Sequence, residues 1–274
     1  MAEEFHSLES EFILLSHEYM EFKQAWQQRQ LVHSLDLDHG NSALMLLSCT
    51  LVMLMTLPGI SLFYSGAVKI RHVLSTFVVC MAVSSTISVL WMICGYSLAF
   101  APADATAPHS NSLFGNWSRF WFHNMDLYSV HQLSPFVSET IFCMFQLSNA
   151  IISCALIVGG FACRVKFAHS LLFVCLWLLL IYCPLIHSHR HPDGFLHRAE
   201  VLDYAGGNVV HISAGMTAFV TSLLIGPSKD GGPQRVETRN MLLSVWGACF
   251  LWVGWFGFNV GSGFAASTYG ATSP

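Results

Sequence analysis

Long runs of apolar residues, separated by shorter polar segments, dominate the chain from about residue 42 onwards. Six runs are each long enough to cross about 30 Å of hydrocarbon at about 1.5 Å of helix rise per residue. No Lys or Arg lies inside any of them, as expected where a buried charge is costly. We therefore predict an all-α, polytopic membrane protein with helices at about 42–64, 73–100, 137–161, 167–187, 203–226 and 240–264.

Residues 1–40 have a different character from the membrane domain predicted over 41–274. Half of the acidic residues of the chain lie in this N-terminal segment. Its apolar residues recur at helical spacing, which predicts a short amphipathic helix on a divergent N-terminal extension. The residues on which this prediction depends are Phe12, Leu15, Tyr19, Phe22 and Trp26.

Composition supports the membrane class and excludes several others. Charged residues make up 10% of the chain, against about 25% in soluble domains. The net charge of −4 and the absence of a basic patch argue against a nucleic-acid partner. The cysteines have no metal-ligand spacing, so we expect no metal, no cofactor and no enzymatic chemistry. A weak metal site remains the alternative at His187, His189 and His191, which alternate in a predicted extended loop.

The basic residues of the loops predict the orientation of the helices. Loops 65–72, 162–166 and 227–239 hold seven Lys and Arg residues, against three in loops 101–136 and 188–202. Basic residues are enriched on the cytoplasmic side of a membrane. Both ends of the six-helix region are therefore predicted to lie outside, in a plasma membrane or a bacterial inner membrane.

Two ionisable residues, Asp203 and His211, lie in the fifth run. Asp203 is at its start, where a carboxylate caps the free amides of a first helical turn. His211 is two turns deeper, near the predicted middle of the membrane, and about 80° round the helix. A capping or structural role and a role in an ion or proton pathway are both open for these residues.

Aromatic and amide residues of the third and sixth runs allow two interpretations. Packing is one, and attraction of a cation by the π faces of the rings is the other. The residues concerned are Phe145, Gln146, Trp255, Phe258 and Asn259. The spacing of Gly257 and Gly261 is typical of close helix packing.

Five segments resemble the ammonium transporter (Amt/Mep/Rh) family, and its Amt branch most closely. They read LPGISLFYSG at 57–66, VLST at 73–76, Trp91 followed by GYSLAF at 95–100, DYAGGNVVHISAG at 203–215 and GWFGFNVGS at 254–262. They occur in the family's order over about residues 41–266. The resemblance implies an eleven-helix protomer in a homotrimer, with one narrow apolar pore per protomer and the amino terminus outside. It also implies a PII-type regulator as a cytoplasmic partner.

The resemblance further implies a mechanism and the residues that perform it. Members of the family recruit ammonium at an outer vestibule, and ammonia and a proton then cross separately along two pore histidines. By position in the motifs, Asp203 and Ser262 belong to the recruitment site. Phe145 and Phe258 correspond to two stacked phenylalanines that gate the pore. His211 corresponds to the first pore histidine.

Two departures from the family pattern weaken this expectation. The vestibule tryptophan has no counterpart, and the segment that should hold it contains Arg190, which would repel ammonium if it pointed inward. The sequence also ends at Pro274, so it covers the first half of an inverted-repeat bundle plus one helix, without the second pore histidine. The alternatives are a non-conducting ammonium sensor or scaffold, a non-functional truncated homologue, and a proton-coupled carrier of another family.

Overall fold

Six long apolar helices form the fold of this computed structural model. It describes residues 16, 19–21, 23–24, 37–101, 113–126, 128–227 and 239–264. In this part of the chain, the helices long and apolar enough to cross a membrane have mean hydropathies of 1.5 to 2.2. We number them first to sixth span: His39–Ala67, Ile70–Phe100, Glu139–Phe161, Phe167–Arg198, Gly207–Ile225 and Met241–Gly261. The prediction of a polytopic helical membrane protein is confirmed, while the amphipathic helix predicted over residues 12–26 lies largely outside the described residues.

Two predicted boundaries are wrong. The fifth span begins at Gly207 rather than at residue 203, because the backbone of Gly206 is in a left-handed conformation that ends regular helix. The predicted loop after residue 187 is helical as far as Arg190, and a further short turn follows at Phe195–Arg198. The polar residues of that loop thus continue the fourth span instead of leaving it.

Four of the spans contain a stretch of wider, π-helical turns. These stretches are Met55–Ile60, Trp91–Gly95, Leu178–Tyr182 and Gly207–Ile212. In the first span the stretch contains Pro58, which lacks the amide hydrogen that a regular helix needs. In the fifth span it contains His211. Such bulges change the direction of individual side chains and occur frequently at functional sites.

The third span lies at the centre of the bundle. It packs against the first, second and fifth spans and makes smaller contacts with the fourth. Its most apolar window is 78% buried, whereas the corresponding windows of the fifth and sixth spans are 17% and 22% buried. The fifth and sixth spans therefore carry a large uncovered apolar surface in this chain.

Small residues let the sixth span lie directly on the first. A Cβ atom at Gly254 would lie 2.6 Å from the carbonyl oxygen of Leu51, and one at Gly257 would lie 3.0 Å from that of Ser48. A Cβ at Gly261 would lie 2.7 Å from the Cβ of Ser48. These distances confirm the packing interpretation of the glycine spacing, because any larger side chain would push the two backbones apart.

A two-stranded antiparallel hairpin is the one sheet in the described residues. It pairs Val130–His131 with Ser134–Ser138 and leads directly into the third span. Its inner histidine, His131, stacks on Phe142 with ring centroids 4.5 Å apart. The Nε2 atom of that histidine lies 3.0 Å from the carbonyl oxygen of Phe100, and Nδ1 accepts a hydrogen bond from the amide of Leu133.

A buried ion pair attaches the loop between the second and third spans to the third span. Arg119 donates from Nε and Nη2 to the two oxygens of Glu139, at 2.9 and 2.8 Å. The hydroxyl of Tyr96 donates to the same carboxylate at 3.0 Å, and Arg119 also donates to the carbonyl oxygen of Asn124. The loop, the second span and the third span thus meet at one carboxylate, which is fully buried.

We expect Glu139→Gln to lower the free energy of unfolding by about 3 kcal/mol, because removing one partner leaves the other buried charge uncompensated. Unfolding in detergent micelles, followed by tryptophan fluorescence, measures the change. Glu200→Gln is the matched control, since Glu200 is exposed. Equal effects of the two substitutions would contradict a structural role for the ion pair.

Stability should also decrease as the pH is lowered, because burial lowers the pKa of His131 below its ordinary value. Below about pH 6.5 the unfolded chain then binds a proton that the folded chain does not. Glu139 opposes the shift and Arg119 adds to it. Unfolding midpoints measured between pH 7 and pH 5 should fall less steeply in His131→Gln than in the unchanged chain. His123→Gln, at an exposed histidine, should leave the slope unchanged.

Candidate functional site

Asp203 holds the start of the fifth span in place. Its Oδ2 atom accepts hydrogen bonds from the amides of Asn208 and Val209, at 3.2 and 3.0 Å. The chain reaches this geometry through Gly206, whose φ of +84° is costly for any residue with a Cβ atom. The capping interpretation of Asp203 is therefore confirmed, and its part in recruiting a cation stays a prediction.

His211 lies between the fifth and sixth spans, against an aromatic wall. Its ring stacks on Trp255 with centroids 5.1 Å apart and planes 14° apart, and it lies 5.7 Å from the ring of Phe258. Within the described chain its nitrogens have no hydrogen-bond partner, and Asp203 is the charged side chain that acts on it electrostatically. A half-buried imidazole with free nitrogens is unlike a satisfied structural histidine and suits the lining of a polar path.

The depth of His211 differs from the prediction. It is the fifth residue of the fifth span, which has 19 residues. It therefore lies closer to the beginning of this helix than to its middle. The reason is the late start of the helix, which leaves Asp203 and Gly206 in the preceding turn.

The structure does not stack Phe145 on Phe258. Among the described residues, the ring neighbours of Phe258 are His211 and Trp255, whereas that of Phe145 is Phe264, with centroids 6.2 Å apart. Phe145 lies against the backbone of the sixth span, where a Cβ at Gly261 would come within 2.7 Å of its Cζ. This position is one turn beyond Phe258, so the predicted stacked pair is not formed.

Ser262 ends the sixth span. Its Oγ donates to the carbonyl oxygen of Phe258 at 2.8 Å, and the side chain is buried. Nearby, the hydroxyl of Tyr204 donates to the carbonyl oxygen of Asn259 at 3.1 Å. The turn before the fifth span is thus joined to the end of the sixth span by a hydrogen bond beside the candidate site.

The three alternating histidines do not form the metal site considered above. The helix Cys183–Arg190 replaces the predicted extended loop, so His187 and His191 stack with centroids 4.3 Å apart while His189 points elsewhere. His189 bonds within its own helix, to the carbonyl oxygen of Leu185. Across the described ranges, no group of three or more His, Cys, Asp or Glu side chains could hold a metal ion.

Arg190 points into the protein. The residue is 9% exposed, and its Cζ atom lies 5.7 Å from the ring centroid of Phe264. Its Nη2 atom donates to the carbonyl oxygen of Tyr204 at 3.1 Å. Phe264 is itself packed on Phe142, with ring centroids 5.3 Å apart. The sequence reasoning missed Phe264 and Phe142, since a single phenylalanine beside a helix end carries no specific signal.

A buried pair of amides lies deeper in the third span. The Nδ2 atom of Asn149 donates to the Oε1 atom of Gln146 at 3.3 Å. The remaining nitrogen of Gln146 and the oxygen of Asn149 have no partner in the described chain. The sequence reasoning missed Asn149, although an amide inside an apolar span was a signal that could have identified it, because such groups are costly in hydrocarbon.

Comparisons with known proteins agree on one family. The Ammonium Transporter Family matches residues 43–272. A putative ammonium transporter of Methanothermobacter thermautotrophicus is 37% identical over 237 residues, covering 86% of this chain and 56% of the relative. An ammonium transporter of Bacillus subtilis is 38% identical over 225 residues, covering 81% and 52%.

Solved structures show the same relationship. The crystal structure of Saccharomyces cerevisiae Mep2 superimposes with a TM-score of 0.77 at 29% identity, covering 87% of this chain and 52% of Mep2. A structure described as a sensor Amt protein superimposes with a TM-score of 0.72 at 25% identity, covering 83% and 56%. This chain spans about half the length of these relatives. It belongs to the ammonium transporter family.

Proposed function

We propose that this chain takes part in moving ammonium or ammonia across a cell membrane, along a path between its fifth and sixth spans. The observation that carries the proposal is the half-buried imidazole of His211, which faces Trp255 and Phe258 without a hydrogen-bond partner in the described chain. The family of the chain supports ammonium as the substrate. The curated relatives are named ammonium transporters, which are not enzymes.

The residues along this path have separate roles in the proposal. At the outer end the carboxylate of Asp203 contributes negative charge, and the hydroxyl of Ser262 offers lone pairs to an amine. Burying an ammonium ion among apolar side chains is far more costly than burying neutral ammonia. Loss of the proton at the mouth therefore favours entry, and His211 then offers a hydrogen-bonding partner inside. The proton would travel separately by way of the imidazole.

The uncovered faces of the fifth and sixth spans bear on assembly. They leave one side of the proposed path open, and the relatives are about twice as long. We propose that conduction requires this side to be covered, and that further copies of this chain cover it in the conducting assembly. The homotrimer, the outward amino terminus and the PII-type regulator implied by the resemblance belong to this proposal.

A non-conducting ammonium sensor or scaffold is the second candidate. The inward position of Arg190 favours it, because a fixed cation beside the proposed recruitment site opposes the entry of another. The similarity to a structure described as a sensor Amt protein is consistent with it. The two candidates differ in whether substrate crosses the membrane.

Transport is tested by uptake of radiolabelled methylammonium into liposomes that contain the purified chain. We expect uptake above that of empty liposomes, and a loss of roughly 100-fold in His211→Ala if this histidine carries the proton. His169→Ala is the matched control, because His169 is exposed near the start of the fourth span. Uptake equal to that of empty liposomes would overturn the transport proposal. An ammonium-dependent rise in thermal stability would then support the sensor.

The two roles of Asp203 can be separated by substitution. Asn caps a helix about as well as Asp but carries no charge, whereas Ala does neither. We expect Asp203→Ala to lower the free energy of unfolding by about 1 kcal/mol and Asp203→Asn to leave it nearly unchanged. Both should reduce methylammonium uptake. Undiminished uptake in Asp203→Asn would restrict this carboxylate to its capping role.

A further inference from the structure

The Arg190 side chain is an unusual feature of the mouth of the proposed path. It brings a permanent charge into the end of an apolar helix, where charged groups are expensive unless they are compensated. It forms no salt bridge within the described residues, and its one hydrogen bond there, to Tyr204, uses one of its five N–H donors. The π face of Phe264 offers further compensation for its charge.

The groups around this guanidinium all attract cations. The ring of Phe264 presents its negative face at 5.7 Å, and the carbonyl oxygen of Tyr204 accepts a hydrogen bond. Asp203, the residue before Tyr204, adds a carboxylate to the same turn of the chain, where it accepts hydrogen bonds from the first amides of the fifth span. An aromatic face and a carbonyl oxygen, with a carboxylate in the adjoining turn, are groups that attract a small monovalent cation.

We propose that these groups form a cation site and that Arg190 is its tethered occupant. The site takes a nitrogen cation of the guanidinium or alkylammonium class, and it cannot take a free one while the arginine is in place. Arg190 is thus the residue that determines which charge state of an amine enters. This inference rests on the proposed function in one respect: it takes an amine to be the ligand that competes with Arg190 for the site.

The ring of Phe264 is held in position by its neighbours, which makes the site persistent. Phe142 and Phe145 pack on it at centroid distances of 5.3 and 6.2 Å. Both are fully buried residues of the third span. Shortening Arg190 should therefore leave the aromatic face in place and open a space of guanidinium size beside it.

Chemical rescue tests the proposal. Thermal unfolding of the purified chain in detergent is measured with millimolar guanidinium chloride, methylammonium chloride or sodium chloride at equal ionic strength. Arg190→Ala should unfold at a lower temperature than the unchanged chain. Guanidinium should restore stability with a saturable response, at concentrations at least about tenfold lower than sodium requires, because sodium is strongly hydrated and binds an aromatic face poorly.

Arg198→Ala is the matched control, since Arg198 is exposed and donates to the carbonyl oxygen of Asp193. It should show no difference between guanidinium and sodium. Adding Phe264→Leu to Arg190→Ala should abolish the guanidinium response, because leucine keeps apolar volume but has no π face. An equal response of Arg190→Ala and Arg198→Ala to guanidinium overturns the proposal.

A second variant and the choice of readout make the result interpretable. If Arg190→Ala is too unstable to purify, Arg190→Gln keeps part of the side chain and a donor for Tyr204, and the absence of guanidinium-specific stabilisation there also overturns the proposal. The readout is binding rather than uptake. If the uptake experiment fails and guanidinium still stabilises Arg190→Ala, transport is refuted and the cation site stands. If uptake is observed and guanidinium gives no specific stabilisation, the cation site is refuted and transport stands.

Discussion

The structure depends on the burial of the third span, which the other helices surround. It approaches the fifth span most closely at Gly160, where a Cβ atom would lie 2.6 Å from the Cα of Ala218. This contact sets where the fifth span runs, and therefore where His211 lies. The first span packs on both the third and the sixth spans. The aromatic wall beside His211 is thus positioned indirectly by the same central helix.

The number and approximate positions of the helices could be predicted from the sequence because bilayer thickness imposes a minimum length on each apolar run. The capping role of Asp203 could be predicted because it requires only contacts between residues close in sequence. The helical continuation to Arg190 could not, since its histidines favour no particular backbone conformation strongly. It depends on tertiary contacts such as that of His187 with the carbonyl oxygen of Ala99, 3.0 Å away.

The candidate site, like the fold, could be predicted only in part. The motif placed Asp203 at the start of the fifth run, and the structure shows its carboxylate there, beside the first turn of the helix. The motif placed His211 near the middle of the membrane, whereas the structure places it near the beginning of the helix. The orientation of Phe145 was not predictable, because it is decided by the missing side chain at Gly261, distant in sequence. Phe264 was missed for a similar reason. Its role depends on the guanidinium of Arg190, which lies over the ring and belongs to a helix distant in sequence.

The positions of Arg190 and His211 also bear on the proposed function, because they distinguish an ammonium ion from neutral ammonia. Under the proposed function, the buried guanidinium of Arg190 would oppose the attraction that the carboxylate of Asp203 exerts on an ammonium ion. Neutral ammonia carries no net charge, so the carboxylate does not attract it and the guanidinium does not repel it as they would an ion. It can still accept from, or donate to, the free nitrogens of His211 further along the path. In the proposed function this arrangement would favour the uncharged amine over the cation, whereas an open vestibule with an unopposed carboxylate would bind the cation first.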